Sequence, residues 1–77
     1  MKIEVRLYAT LRAYGPSEET SSILDVPENS TIQELLQMLG IPDDVERIVL
    51  INGRPAAGGS ELNDADRVVL FPPAAGG

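Results

Sequence analysis

The part of this chain best suited to chemistry is its end, residues 72–77, which read PPAAGG. The sequence stops at Gly77, so we expect the reactive group to be a free glycine carboxylate on a short extended arm. Glycine has no β-carbon to obstruct a nucleophile at its carbonyl carbon, and a pair of glycines can pass a narrow channel. Counted from Phe71, an extended arm of this length reaches roughly 20 Å. The alternative is an ordinary frayed terminus, because chain ends are commonly disordered.

The side chains of this chain include few other reactive groups. The 77 residues include no cysteine and no histidine. This composition removes disulfides, the usual zinc sites, thiol nucleophiles and histidine general bases. We therefore expect that the isolated chain is not an enzyme and that it binds no cofactor or metal stably.

Charge and hydropathy narrow the range of partners. Twelve acidic residues against six basic ones give a net charge of −6, which opposes binding to nucleic-acid phosphates. The acids fall partly into three clusters, namely Glu18-Glu19, Asp43-Asp44 with Glu46, and Asp64 with Asp66. These clusters either steer the protein onto a basic partner or form a solvated surface that keeps it soluble. Neither an apolar run of membrane-spanning length nor a signal-peptide layout is present, so we expect no membrane contact and a cytoplasmic location.

A single small domain has to position the arm, since 77 residues with 43% hydrophobic content suit one folded core. Residues 2–8 alternate between polar and apolar side chains, which predicts a half-buried strand. A turn-rich stretch at 14–17 then reverses the chain. Residues 22–26 predict a second strand, antiparallel to the first.

The clearest helix signal follows this second strand. Ser30 or Thr31 can cap the N-terminus, with Gln33 or Glu34 completing a capping box. The apolar side chains of one helical face follow at Ile32, Leu35, Leu36 and Leu39. Gly40 suits the left-handed position that ends a helix. This single helix has to cover one face of the sheet.

The remaining elements follow one another closely along the chain. In order, they are a strand at 47–51, a tight turn at Asn52-Gly53, an irregular stretch at 54–59, a brief pairing at Glu61-Leu62, a turn at 63–66 and a last strand at 67–71. The sheet must stop near Phe71, because Pro72 and Pro73 cannot donate hydrogen bonds to a strand ladder.

This order of elements predicts an α+β fold, with a mixed sheet of four to five strands and one main helix on one face. We expect the domain to occupy residues 1–71 and a flexible tail to occupy residues 72–77. The last strand is apolar on both faces, which is more than one helix can bury. Either this strand is central and loops cover its back, or Phe71 and Tyr8 form an exposed apolar patch for a partner.

Three segments of the chain carry a likeness to a known family. They are Leu7-Tyr8-Ala9-Thr10-Leu11-Arg12, Ile51-Asn52-Gly53 and Phe71-Pro72-Pro73-Ala74-Ala75-Gly76-Gly77. In this order and over the whole chain, the sequence resembles the MoaD/ThiS family of sulfur carriers. The Phe-Pro-Pro-x-x-Gly-Gly ending leans toward the MoaD branch. The resemblance implies the ubiquitin-like β-grasp fold, in agreement with the order of elements above.

The resemblance also implies a mechanism. An adenylating enzyme related to the ubiquitin-activating enzymes uses ATP and magnesium to adenylate the terminal glycine, and a persulfide sulfur then displaces AMP to leave a thiocarboxylate. The chain is expected to insert its tail into the MoaE-like large subunit of molybdopterin synthase, a sulfurtransferase, where the sulfur goes to the pterin dithiolene. Under this implication Gly77 bears the sulfur and Gly76 must fit the narrow channel. The residues expected to contact the partner are Tyr8, Pro55, Phe71, Pro72, Pro73, Ala74 and Ala75.

Two departures from the family pattern bear on the partner. Pro55 stands where MoaD-like chains often carry a larger apolar docking residue, and Ala65 stands where the family usually has glycine, so a looser turn is expected there. The pathway therefore stays open between molybdopterin and sulfur supply for thiamine, cysteine, tungsten cofactor or tRNA thiolation. Two further hypotheses remain: a ubiquitin-like modifier conjugated to lysines through Gly77, and a β-grasp interaction module that never reacts.

Overall fold

The computed structural model describes residues 1–15 and 21–73. Within them, two helical segments and five strands follow one another. The bounds are β1 at Lys2–Leu7, a 3₁₀ helix at Ala9–Tyr14, β2 at Ser21–Asp25, α1 at Ile32–Leu39, β3 at Ile48–Ile51, β4 at Arg54–Pro55 and β5 at Arg67–Phe71. The predicted tail lies outside the described residues from position 74 onward, so the division at residue 71 stays a prediction.

The five strands form one mixed sheet in the order β2-β1-β5-β3-β4. β1 and β5 run parallel, whereas the other neighbouring strands run antiparallel. The predicted mixed sheet and the antiparallel pairing of the first two strands are therefore confirmed. Because β5 pairs with a strand on each side, the last strand of the chain lies in the middle of the sheet.

Helix α1 begins at a capping box, as the sequence predicts. Thr31 and Glu34 form the box: the Thr31 hydroxyl accepts the Glu34 N–H at 3.3 Å, and the Glu34 carboxylate accepts the Thr31 N–H at 3.2 Å. The alternative cap, Ser30, instead donates its hydroxyl to the Pro27 carbonyl at 2.6 Å. Gly40 ends the helix in the left-handed conformation, with φ of 77°.

The hydrophobic core lies between α1 and one face of the sheet, which we call the inner face. Alternate residues of the strands reach this core, because side chains in a strand point to opposite faces in turn. The buried members from β1, β3, β5 and α1 are Ile3, Val5, Leu7, Val49, Val68, Leu70, Ile32, Leu35 and Leu36. The apolar stripe of the helix and the alternation of the first strand were thus sufficient to predict this packing.

Two local elements differ from the predictions. Residues 9–14 form a 3₁₀ helix that the sequence did not predict, because Leu11 is its single fully buried side chain and one apolar residue shows no period. Arg54 and Pro55 form β4 within a stretch predicted to be irregular. They do so because Asn52 and Gly53 both adopt positive φ, of 52° and 83°, which closes a tight hairpin after β3.

The remaining turns behave mostly as predicted. Glu61 makes the brief pairing expected of it, as a single bridge to Thr31. The turn before β5 closes without glycine: Ala65 adopts φ of 70°, and the Asp66 N–H donates across the turn to the Asn63 carbonyl at 3.1 Å. The looser turn expected from alanine at this position is therefore not observed.

Candidate functional site

The C-terminal arm begins in the middle of the sheet. Phe71 is the last residue of the central strand β5, and the parallel neighbour β1 ends at Leu7. Tyr8 follows directly and donates its N–H to the Leu70 carbonyl at 3.1 Å. Tyr8 and Phe71, which were predicted as partner-binding residues, are consequently brought together where the chain leaves the sheet.

An apolar patch surrounds this exit point on the face of the sheet opposite the core, which we call the open face. The strand register places Phe71 beside Ile48 and Val69 beside Leu50, and it places Pro55 beside Leu50. These five residues, together with Tyr8 at the margin, form the patch. Tyr8 and Ile48 are exposed, at 39% and 37%, while Leu50, Val69 and Phe71 are half-buried.

The two interpretations of the last strand each hold in part. β5 is central, as the first interpretation requires. Its outward side chains Val69 and Phe71 nevertheless stay half-exposed, as the second requires. Pro55 lies on the same face at the edge strand and is exposed, so Tyr8, Pro55 and Phe71 share one surface. Contiguous apolar patches of this kind commonly mark interaction sites.

A charged cluster borders the patch on the open face. The carboxylate of Glu4 accepts hydrogen bonds from Arg6 Nε at 2.6 Å, from Arg67 Nε at 3.1 Å and from the Ser21 hydroxyl at 3.0 Å. The hydrogen bond from Arg6, then that from Ser21, lowers the pKa of Glu4 from its ordinary 4.5 to about 2. The same contact with Glu4 raises the pKa of Arg6. Sequence reasoning missed this cluster, since Glu4 and Arg67 are far apart in the chain.

A second polar network fixes the start of β5. Asn52 donates its side-chain amide to the buried carboxylate of Asp66 at 2.9 Å, and its amide oxygen accepts the Arg67 N–H at 2.9 Å. Asp66 also accepts the N–H of Asn63 at 2.8 Å. The strand that carries the arm is therefore tied to the β3–β4 turn. The sequence predicted Asn52 only as a turn residue, and its dipeptide with glycine gives no signal of this second role.

The root of the arm lies beside an acidic loop. Pro72 and Pro73 are half-buried, and Pro73 lines a shallow groove with Asp43, Glu46 and their neighbours Val45 and Arg47. The Arg47 side chain orders this loop by donating to the carbonyl of Val45 at 3.0 Å and of Asp43 at 3.2 Å. One predicted acidic cluster is thus located at the arm. The other predicted site residues, Ala74, Ala75, Gly76 and Gly77, lie outside the described residues.

The described residues offer no arrangement suited to a metal ion. Across residues 1–15 and 21–73, no three acidic, histidine or cysteine side chains group closely enough to ligate one. Within the same ranges, no helix has the length and apolarity needed to cross a membrane.

The comparisons with known proteins identify the family. Residues 5–77 match the model of the ThiS family. The chain belongs to the ThiS family. The predicted MoaD/ThiS membership and the ubiquitin-like β-grasp fold are thereby confirmed. No curated protein is similar enough in sequence to count as a match.

Three solved structures resemble this ThiS-family chain over at least 95% of each chain. SAMP1 from Haloferax volcanii is 30% identical, with a TM-score of 0.77 and 100% of both chains covered. The putative molybdopterin converting factor subunit 1 from Pyrococcus furiosus is 22% identical, with a TM-score of 0.77 and coverage of 95% of this chain and 98% of that one. A chain from the complex of molybdopterin-converting factor subunits 1 and 2 of Helicobacter pylori is 23% identical, with a TM-score of 0.64 and 100% of both chains covered. The last two likenesses show the fold alone.

Proposed function

We propose that this protein is a sulfur carrier that works as the small subunit of molybdopterin synthase, with Gly77 as the sulfur-bearing residue. The observation that carries the proposal is the position of the exit point: the central strand ends at Phe71, inside the apolar patch. A partner that covers the patch would therefore receive the arm directly at the interface. The family match includes the arm, since it extends from residue 5 to residue 77.

The root of the arm suits insertion into a partner. Pro72 and Pro73 restrict the backbone conformations available just after Phe71. Fewer conformations are lost on insertion, so the entropy cost of binding falls. Tyr8, Pro55 and Phe71 would anchor the domain, while Ala74, Ala75 and Gly76 would lie in the partner's channel. Because the domain only binds the partner and the tail carries the reactive group, no reactive side chain is needed within the domain.

The proposed chemistry converts the Gly77 carboxylate into a better electrophile. The carboxylate oxygen attacks the α-phosphate of ATP, pyrophosphate leaves, and the activating enzyme holds the magnesium ion. The terminal sulfur of a persulfide then attacks the acyl carbon, AMP leaves, and a thiol reduces the resulting acyl disulfide to the thiocarboxylate. Because the sulfur travels on the C-terminus, the chain has no need of the cysteine that it lacks.

The intact mass of the protein tests this activation step. The full chain is incubated with ATP, magnesium, its activating enzyme and a persulfide source. We expect a mass gain equal to the difference between sulfur and oxygen, located on the C-terminal peptide. A chain that lacks Gly76 and Gly77 should fold and show no gain. An unchanged mass for the full chain, with the enzyme active on another carrier, would overturn the proposal.

The acceptor is tested separately with a MoaE-like large subunit. We expect the thiocarboxylate chain to bind this subunit and to return to its original mass as the pterin precursor gains sulfur. A thiocarboxylate that survives this incubation but is consumed by thiamine, cysteine, tungsten-cofactor or tRNA-thiolation machinery would reassign the pathway and keep the carrier chemistry.

A second candidate function is protein modification. It is favoured by the 30% identity to SAMP1, because small archaeal modifier protein 1 is named as a modifier. The activation of Gly77 would be the same, and a lysine amine would replace the persulfide as nucleophile. Covalent adducts that survive reducing denaturation and contain an isopeptide bond to Gly77 would support this function. A chain that shows no ATP-dependent change at all would instead be a non-reactive interaction module.

A further inference from the structure

The open face has a charge balance opposite to that of the protein as a whole. Along the strands, the charged residues that share this face are Lys2, Arg6 and Arg67, which are basic, and Glu4 and Asp25, which are acidic. The whole chain contains six basic and twelve acidic residues. Half of the basic side chains therefore lie on a face where only two strand positions are acidic.

Two of these basic side chains are held in place before any partner binds. The Glu4 carboxylate lies between Arg6 and Arg67 and accepts the Nε–H of each, at 2.6 Å and 3.1 Å. A guanidinium has five N–H donors, so this contact leaves donors available for a carboxylate on another molecule. Because Glu4 already orders both side chains, a partner would not have to immobilise them on binding.

The arginine pair directly adjoins the apolar patch. The register places Arg6 beside Val69, Val69 beside Leu50 and Leu50 beside Pro55, so these four residues cross the open face in one row. Neighbouring strands are about 4.8 Å apart, which puts Leu50 roughly 10 Å from Arg6 along this row. A single small docking surface can therefore engage both the apolar patch and the arginine pair.

We propose that the open face docks a protein surface that presents apolar side chains next to one or two carboxylates, with the carboxylates bound by Arg6 and Arg67. The occupant is the activating enzyme, and this choice of partner rests on the proposed function. Charge complementarity is the reason for preferring an acidic partner surface. The two fixed guanidinium groups attract a carboxylate of the partner, whereas they would repel a basic side chain. The net charge of the chain alone would favour a basic partner.

The test compares three arginine variants for binding to the purified activating enzyme without ATP, by calorimetry on the full chain. Arg67→Glu and Arg6→Glu reverse charge on the open face. Arg54→Glu makes the same change in β4, on an exposed side chain paired with Ile51 rather than with an open-face residue. We expect the two open-face variants to bind at least about tenfold more weakly and Arg54→Glu to change by less than about twofold. The difference should shrink at about 1 M salt, where charges are screened within roughly 3 Å.

An uncharged variant and circular dichroism distinguish a loss of binding from a loss of folding. Arg67→Glu places a second carboxylate beside that of Glu4, so circular dichroism must show the native fold. Arg67→Gln avoids this repulsion and should weaken binding by an intermediate factor, about threefold. If the glutamate variants unfold, the binding of Arg67→Gln is compared with that of Arg54→Gln instead.

Three outcomes would overturn the inference. The first is equal binding by the Arg67 and Arg54 variants, and the second is tighter binding by Arg67→Glu, which would mean a basic partner surface. Self-association through this face, detected by sedimentation of the free chain, would also replace the proposed occupant with a second copy. Failure of the proposed function is distinguishable, because it appears as no sulfur gain by the wild-type chain at saturating enzyme, whatever the variants do.

Discussion

The two faces of the sheet are built by alternate residues of the same strands, yet they differ in burial and in chemistry. In β5, Val68 and Leu70 are fully buried against the helix side, whereas Val69 and Phe71 are half-buried on the open face. On the inner face the buried positions of β1, β3 and β5 are all apolar, while the open face combines an apolar patch with a charged cluster. The stability of the domain is therefore concentrated on the inner face, which leaves the open face available for binding.

The open face also differs from the acidic loop at the root of the arm. Arg6 and Arg67 flank Glu4 on the sheet face, where Arg6 lies beside Val69 of the patch, while Asp43 and Glu46 lie near Pro73 at the root of the arm. A partner that covers both regions would need carboxylates opposite the arginine pair and basic groups opposite the loop. The predicted steering of the protein by its acidic clusters thus stays a prediction, and for Asp43, Asp44 and Glu46 it concerns a different region from the sheet face. Glu18 and Glu19 lie outside the described residues, and Asp66 of the third cluster is buried.

The largest expected effect comes from a matched pair of neighbouring valines. Val68→Ala should lower the free energy of unfolding by about 2–3 kcal/mol, because it leaves a cavity at a fully buried position. Val69→Ala removes the same atoms from the open face and should cost less than about 1 kcal/mol. Chemical denaturation measures both values. Equal losses would mean that the open face is part of the core, and the contrast between the faces would be wrong.

When binding is measured instead of stability, the order of the two valine variants should be reversed: Val69→Ala should have the larger effect and Val68→Ala the smaller. Val69→Ala shrinks the apolar patch beside Leu50, so it should weaken binding to the activating enzyme by several-fold. Val68→Ala, measured at a temperature where it remains folded, should bind like the wild type. Weaker binding by Val68→Ala with normal binding by Val69→Ala would place the docking surface elsewhere.

The next effect concerns the network that fixes the start of β5. Asn52→Ala removes the amide that joins Asp66 to Arg67 and leaves the buried Asp66 carboxylate with one fewer donor. The expected cost is about 1–3 kcal/mol, the usual penalty for a buried polar group that loses a partner. Asn52→Gly is the control, because glycine keeps the positive φ of 52° and isolates the loss of the hydrogen bonds. A loss below about 0.5 kcal/mol for both variants would show that the network does not stabilise the strand.

The inner face could be predicted from the sequence because it follows a period. The alternation of β1 and the stripe of α1 are local patterns, and Thr31, Glu34 and Gly40 are local signals for the ends of the helix. The open-face cluster has no such pattern. Glu4 and Arg67 meet only because β1 and β5 pair in one particular register, and that register is a property of the whole sheet.

Other features escaped prediction for a related reason. The 3₁₀ helix buries one side chain, Leu11, and the edge strand β4 has two residues, so neither is long enough to show periodicity. The expected patch residues Tyr8, Pro55 and Phe71 do share one face. Their assignment came from the family likeness as much as from alternation, since β5 is apolar at every position after Arg67.

A smaller effect is expected at the turn that leads into β5. Ala65 holds φ of 70°, a conformation that costs an L-residue free energy and glycine little. Ala65→Gly should therefore raise the free energy of unfolding by up to about 1 kcal/mol, because relief of this strain outweighs the greater entropy of glycine in the unfolded chain. Thermal unfolding checks the sign. Ala57→Gly is the control, since Ala57 is not among the residues with positive φ. This variant should be less stable than the wild type or equally stable.

The smallest expected effect on stability comes from Glu4, because its ion pairs are partly exposed to solvent and such pairs contribute little. Its pKa is about 2 in the folded chain and near 4.5 without its partners, so the folded state binds the proton less readily than the unfolded state. The stabilisation is therefore complete above pH 4.5 and is lost as the pH falls toward 2. Glu4→Gln should flatten the decline of unfolding free energy in this window, and Glu61→Gln, which alters an exposed carboxylate at the Thr31 bridge, serves as the control.

The binding of the Glu4→Gln variant also tests whether the open face contributes to recognition and not to stability. The substitution keeps both arginines and removes the carboxylate that orients them. If orientation matters, Glu4→Gln should weaken binding to the activating enzyme at pH 7 although it makes the open face more positive. Tighter binding would show that the charge of Arg6 and Arg67 is sufficient without their placement. Stability should hardly change in either case, because the inner face, and not the open face, holds the domain together.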